Sequence, residues 1–321
     1  MSGLLGGTLA LILAALLVPA AFAQTYPTRT VRLVVPFAPG GATDIFARMA
    51  AAEMTKGMGQ QVIVENRPGA GTTIAAEFVA RSPADGYVLF YTDLSTHTIT
   101  RSLYDKLAYD PIKDFTPVTA VNASPLLLVA HPSVTAKNVD ELVRLAKRYP
   151  GITLGNSGLG TVTHMTAEKF RMRAGIEVTP VNYKGGNTPI VALRSGEVAM
   201  VMATVPASIQ HVREGKLVAL GLAAAKRSPF LPDIPTIGET VKGVEGAVIA
   251  GVLAPAGTPQ NVIDLLYTQF SKSSATSRAK ELFAANAAET LSQAPAEVRK
   301  AMERDVREWA GVVKATGVKA R

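Results

Sequence analysis

A chain of 321 residues, 48% hydrophobic and 18% charged, is long enough for about two domains and too apolar for a disordered polymer. It contains no cysteine, which excludes disulfides, a thiolate nucleophile, Cys-ligated metal and a lipid-modified cysteine. The net charge of +8 is dispersed: no run of Lys or Arg exceeds two residues, as in Lys147-Arg148, so a nucleic-acid surface is not indicated, although a mild positive field helps recruit anions.

In chain order, residues 4–18 ("LLGGTLALILAALLV") are apolar and uncharged, and "PAAFAQ" follows. The run falls short of the ~20 residues a spanning helix needs. Ala21-Phe22-Ala23 is a small-x-small site, so residues 1–23 read as a signal peptide cleaved between Ala23 and Gln24. The expected mature chain is periplasmic, with no segment inserted in the membrane.

After Tyr26-Pro27, short apolar runs alternate with helical stretches: "VRLVVPF", "QVIVENR" and "YVLFYT" read as strands, and residues 43–57 as a helix with Ile45, Met49 and Ala52 on one face. The alternation restarts near residue 125. "PLLLVAHP" leads to a helix at 138–148, "GITLGNSG" to one at 160–174, and "VTPVNY" to one at about 186–195. "EVAMVMA", "KLVALGLA" and "AVIAGVLAPAGTP" are further strands. The last helix, 294–316, carries Val298, Met302, Val306, Trp309 and Val312 as an apolar stripe. The pattern predicts an α/β fold of two domains, each a parallel or mixed sheet with flanking helices. "PLLLVAHP" and "GVLAPAG" are the expected crossing strands of a hinge. One domain then comprises 24–124 plus 252–321, and the other 125–251.

Ligands in open α/β sheets bind beyond the carboxyl ends of strands. Five loops qualify: 37–44 ("FAPGGATD"), 66–73 ("NRPGAGTT"), 92–97 ("TDLSTH"), 155–164 ("GNSGLGTVTH") and 183–188 ("YKGGNT"). Most run directly into a helix, whose first turn offers unpaired N–H groups and a partial positive charge to an anion. Gly40-Gly41 therefore reads as half of an anion cradle, against the plainer reading of a tight turn with Thr43 as a cap. At Gly41 a branched side chain is expected to fill the cradle and strain the turn. Asp44 either stabilises the helix dipole or meets a ligand ammonium or a water. His97 and His164 each read as a cleft donor or as a surface histidine.

Enzyme signatures fail on inspection. Gly155-Asn156-Ser157-Gly158-Leu159 lacks the last glycine of a nucleophile elbow. "PGAGTTI" has Ile74 where a dinucleotide fingerprint needs glycine, and the four histidines lack metal-ligand spacing. No catalytic residue, cofactor or metal is assigned. A secreted hydrolase or isomerase using the same cleft is the alternative function.

Eight motifs in order, "YPTRTVRLVVPFAPGGATD", "VIVENRPGAG", "SPADGYVLF", "LYDKLAYDPIKDFTPV", "GNSGLGTVTHMTAEKF", "VNYKGG", "GKLVALGLAAAKRSPFLPDIPT" and "LAPAGTP", closely resemble the Bug-type (TctC-like) receptors of tripartite tricarboxylate transporters. The resemblance implies a periplasmic type II binding-protein fold, monomeric, closing on a small di- or tricarboxylate or aromatic acid. The partner it implies is a membrane transporter or a sensor kinase. It implies ligand contacts from Phe37, Gly40, Gly41, Ala42, Thr43 and Asp44 on one side and from Ser157, Thr161 and His164 on the other, to which Ser95, His97, Lys184 and Ala203 are added as candidates. Ala199 and Ala203 stand where the family often has Asp. That implies a less acidic second wall and an acid with an apolar or aromatic body.

Overall fold

The computed structural model describes residues 26–185 and 187–320. The expected signal peptide, its cleavage point and Gly186 lie outside the described residues.

The first sheet starts with three parallel strands. β1 (Val31–Val35) lies between β2 (Val62–Asn66) and β3 (Val88–Asp93). Each strand end feeds a helix: α1 (Ala42–Met58) after β1, α2 (Thr73–Ala80) after β2 and α3 (Leu94–Leu103) after β3. β1 is buried almost throughout, as expected of a strand covered on both faces. In α1 the buried side is Phe46, Ala47, Met49, Ala50 and Met54. Ile45 and Ala52, expected with Met49 on the core face, are only half-buried, because the helix packs about one residue further round.

β4 (Phe115–Ala130) is sixteen residues long and joins the two halves. Its first part, up to Pro125, pairs antiparallel with β9 (Ala247–Pro255), from Phe115 opposite Pro255 to Pro125 opposite Ala247. β10 (Glu289–Gln293) also pairs with this part. From Leu126 to Ala130 the same strand pairs with β7 (Met200–Thr204) and β8 (Val218–Ala223). Beyond β7 lie β5 (Ile152–Asn156) and β6 (Val178–Asn182), mutually parallel. The strand path is thus β2-β1-β3-β9-β4-β7-β5-β6. The first crossing falls at Pro125/Leu126, where β4 leaves β9 and joins β7 and β8. The return falls at Gly246/Ala247, several residues before the expected Val252: the Gly246 N–H still donates to the Ala223 carbonyl on β8, while Ala247 already pairs within the first sheet.

The second lobe carries α4 (Val139–Arg148), α5 (Val162–Ala174), α6 (Thr188–Arg194) and α7 (Val205–Arg213). The chain closes in the first lobe with α8 (Gln260–Ala275), α9 (Ser277–Ala285) and α10 (Pro295–Thr316). On α10 the core side is Val298, Met302, Trp309 and Val313; Val306 and Val312 sit at its margin. None of the described helices is long and apolar enough to cross a membrane.

Candidate functional site

Between the lobes lies a cleft, about 390 Å³ with the open solvent at its mouth included, lined by Phe37, Gly41, Ala42, Thr43, Asp93 and Thr96 from one lobe and by Ser157, Thr161, Val162, Thr163 and Thr204 from the other, with Val248 at the hinge. Four helices begin at this cleft: α1 at Gly41, α3 at Asp93, α5 at Thr161 and α7 at Thr204. Four macrodipoles therefore point their positive ends into one small space. Among the described residues, no Lys or Arg lines the cleft. An anion held here is held by N–H groups and hydroxyls.

The α1 end is the most open donor set. Gly41 is its N-cap and makes no side-chain cap bond, so the N–H groups of the first turn are left for another acceptor. Its φ of −83° and ψ of 170° are ordinary extended values that any residue adopts, which corrects the expectation of a strained Gly41. The left-handed residue is Gly40, with φ +86°. A Cβ there would lie 2.6 Å from the Asn187 side chain of the opposite lobe, so glycine at 40 serves lobe contact as well as the turn.

Asp44 does not face the cleft. Its Oδ2 accepts the Gly40 N–H at 3.0 Å and the Arg48 Nε–H at 3.0 Å, and its Oδ1 accepts from Asn66 Nδ2 at 2.9 Å. Asn66 also donates to the Phe37 carbonyl at 2.9 Å. Burial raises the proton affinity of Asp44, but the donors Arg48, Gly40 and Asn66 outweigh it and hold the carboxyl below its ordinary range. Asp44 is therefore the clasp that fixes the 37–44 loop, and it takes the Gly40 N–H that a ligand would otherwise use.

Asp93 is the acid that lines the cleft. Its carboxylate accepts the Thr96 N–H at 3.1 Å, the Thr96 hydroxyl at 2.5 Å and the Ile249 N–H of the hinge strand at 3.0 Å. Burial nevertheless pushes its pKa up to about 6. On the opposite wall the α5 turn is self-knit: Thr161 caps His164 N–H, and the Thr163 hydroxyl accepts the Ser157 N–H at 3.0 Å.

Several expected contacts lie elsewhere. His97 is fully buried among Phe90, Tyr109 and Phe115, with Nε2–H donating to the Pro111 carbonyl at 3.0 Å. Desolvation pushes its pKa down to about 4, so it is a neutral core histidine. Ser95 donates to Asp305 on α10 at 3.1 Å and lines a groove behind the hinge. His164 accepts the Gly160 N–H on Nδ1 and borders an outer groove with Glu168 and Arg171, and burial lowers its pKa. Lys184 is exposed and outside the lining. Ala203 is packed in the second lobe's core opposite Leu127, and Ala199 borders a distant groove, so neither forms the cleft wall. The acidity of this site is set by Asp93 instead. Asp93, Thr96, Val162, Thr163, Thr204 and Val248 are lining residues that sequence reasoning missed. The D-x-x-T capping spacing of Asp93 and Thr96 was the signal available.

The model for the tripartite tricarboxylate transporter family receptor matches residues 46–318, most of the chain. The chain belongs to that family. Protein BugT of Bordetella pertussis is 34% identical to this receptor over 304 residues, 93% of each chain. The periplasmic binding protein BugD superposes with a TM-score of 0.88 at 32% identity, over 92% of the receptor and 100% of BugD. MatC from Rhodopseudomonas palustris, with bound malate, has a TM-score of 0.84 at 34% identity, covering 90% of the receptor and 100% of MatC. An R. palustris protein with adipate has a TM-score of 0.88 at 34% identity, covering 92% and 99%. The receptor is thus a solute-binding protein of the two-domain periplasmic type, from a family that serves membrane transport.

Proposed function

We propose that this receptor captures a small carboxylate in the cleft between its two lobes and closes on it. The observation that carries this reading is the meeting of four helix N termini in a lining without Lys or Arg. Such a lining suits one carboxylate group lying on N–H donors, with its carbon body against Phe37, Val162 and Val248. That similar proteins hold malate and adipate supports the choice of ligand class. The carboxylate lies on Gly41, Ala42 and Thr43, and the Ser157 hydroxyl reaches it from the other lobe, while the Thr161 hydroxyl, which donates to the Gly158 carbonyl, holds the turn. The chain is exported to the periplasm with its leader cut after Ala23, works as a monomer, carries no enzymatic activity and hands its ligand to membrane transporter subunits or a sensor kinase.

A thermal-shift and calorimetry screen with malate, adipate, benzoate and an amino acid tests this. At ~100 times its dissociation constant, a bound acid is expected to stabilise the fold by about 2.7 kcal/mol and to be recovered unchanged. Stabilisation by none of the acids, or their conversion to product, would overturn the reading.

A further inference from the structure

The lobes touch across the cleft, and one of the contacts has a polarity that chemistry fixes. The Val162 N–H, the first of α5, donates to Thr96 Oγ1 of α3 at 3.0 Å. An N–H can only donate, so the threonine oxygen accepts, and its own hydrogen goes to an acceptor on the other side. That acceptor is Asp93 Oδ2, at 2.5 Å. The chain therefore runs Val162 N–H to Thr96 O–H to Asp93, from one lobe into the other. All three residues line the cleft, and Thr96 is fully buried. Asp93 also accepts the Ile249 N–H of β9, which ties the same carboxylate to the hinge strand.

We propose that Thr96 is the positioning residue that couples occupancy of the cleft to closure. The N–H of Val162 has no partner within its own helix, so opening hands it back to water and closing requires an acceptor in its place. Thr96 supplies one, and its orientation is set in advance by Asp93. A ligand filling the cleft beside this chain excludes the water that would compete for each link. The proposal rests on the cleft being the ligand site, but the bond between the lobes exists whatever the ligand is.

The test uses labels on Lys56 and Lys147, both exposed and one on each lobe; the cysteine-free chain accepts two introduced cysteines with no background. Distance distributions by electron spin resonance are recorded without ligand and with 10 mM malate or adipate, alongside calorimetry. Thr96→Val, which keeps the shape and deletes the hydroxyl, is expected to lower the closed fraction and to weaken acid binding about tenfold; Thr96→Ser is expected to restore both. Val162→Pro deletes the donor from the other side, at the first helical position, where proline is tolerated, and is expected to act like Thr96→Val. If Thr96→Val compromises folding, this second variant and the serine decide. Variants that close like the wild type, a serine that fails like the valine, or a wild type that closes in none of these conditions would overturn the coupling. A wild type that closes but binds none of the acids would instead count against the carboxylate reading and leave the coupling to be judged on the distances alone.

Discussion

Gly41→Val is expected to abolish carboxylate binding, by 100-fold or more, with the fold retained. The backbone at 41 is extended, so a β-branched residue fits it without strain. Gly41 is buried, is part of the cleft lining and heads the helix whose N–H groups are uncapped, so the added side chain is expected to take space from the bound carboxylate. A 100-fold loss corresponds to about 2.7 kcal/mol, the scale of one or two hydrogen bonds to a charged group. Calorimetry with malate or adipate gives the affinity, and circular dichroism the fold. Unchanged affinity in a native-like variant would remove the α1 terminus from the site. Loss of the fold would show that the turn tolerates less than its dihedral angles suggest.

The second large effect concerns pH. Asp93 caps the short helix that carries His97, and burial shifts both against their charged forms. For Asp93 the folded pKa, about 6, lies above the ordinary 3.8. Its contribution is fully present below pH ~4 and is lost as pH rises through about 6, a change of roughly 3 kcal/mol. For His97 the folded pKa, about 4, lies below the ordinary 6.5. Its contribution is present above pH ~6.5 and is lost as pH falls towards 4, again by roughly 3 kcal/mol. The two run in opposite directions over the same window, so they offset each other in the wild type. In denaturant titrations between pH 4 and 7 the wild-type profile also carries His164, whose pKa burial lowers, and Asp305, whose pKa burial raises, so each variant is read as a change of slope against it. Asp93→Asn should lose stability steeply as pH falls, and His97→Gln should gain it. The slope decides the matter, since each substitution also changes the baseline. Three parallel profiles would show that neither group titrates as its surroundings require.

How the site was and was not legible in the sequence comes down to phase. The "APGGATD" turn announces itself through composition, and its place at the carboxyl end of β1 follows from the alternation of strand and helix. Which glycine takes the left-handed backbone does not follow, since that depends on Asp44 and Asn187, one four residues away and the other on the opposite lobe. In "TDLSTH" the loop itself is legible, but choosing Ser95 and His97 selects the wrong sides of α3. Asp93 and Thr96, three apart, share the side that faces the cleft, whereas Ser95 turns to α10 and His97 to the aromatic core. Helical periodicity gives the relative phase of these residues. The absolute phase is set by what the helix packs against, and α10 comes two hundred residues later. The alanines at 199 and 203 mislead for a similar reason: a strand's alternation says that two faces exist, but not which of them meets the cleft.

The sixteen residues of β4 have a consequence for how this protein can change over time. The strand begins beside β9 in one sheet and ends between β7 and β8 in the other, with no loop between the two roles. Neither lobe therefore owns a complete set of strands, and a break at Pro125/Leu126 severs one sheet from the other. Two such receptors cannot exchange lobes by recombination at a linker, because no linker exists there. New ligand preferences must instead arise residue by residue in the turns that rim the cleft, while the shared strand is inherited whole.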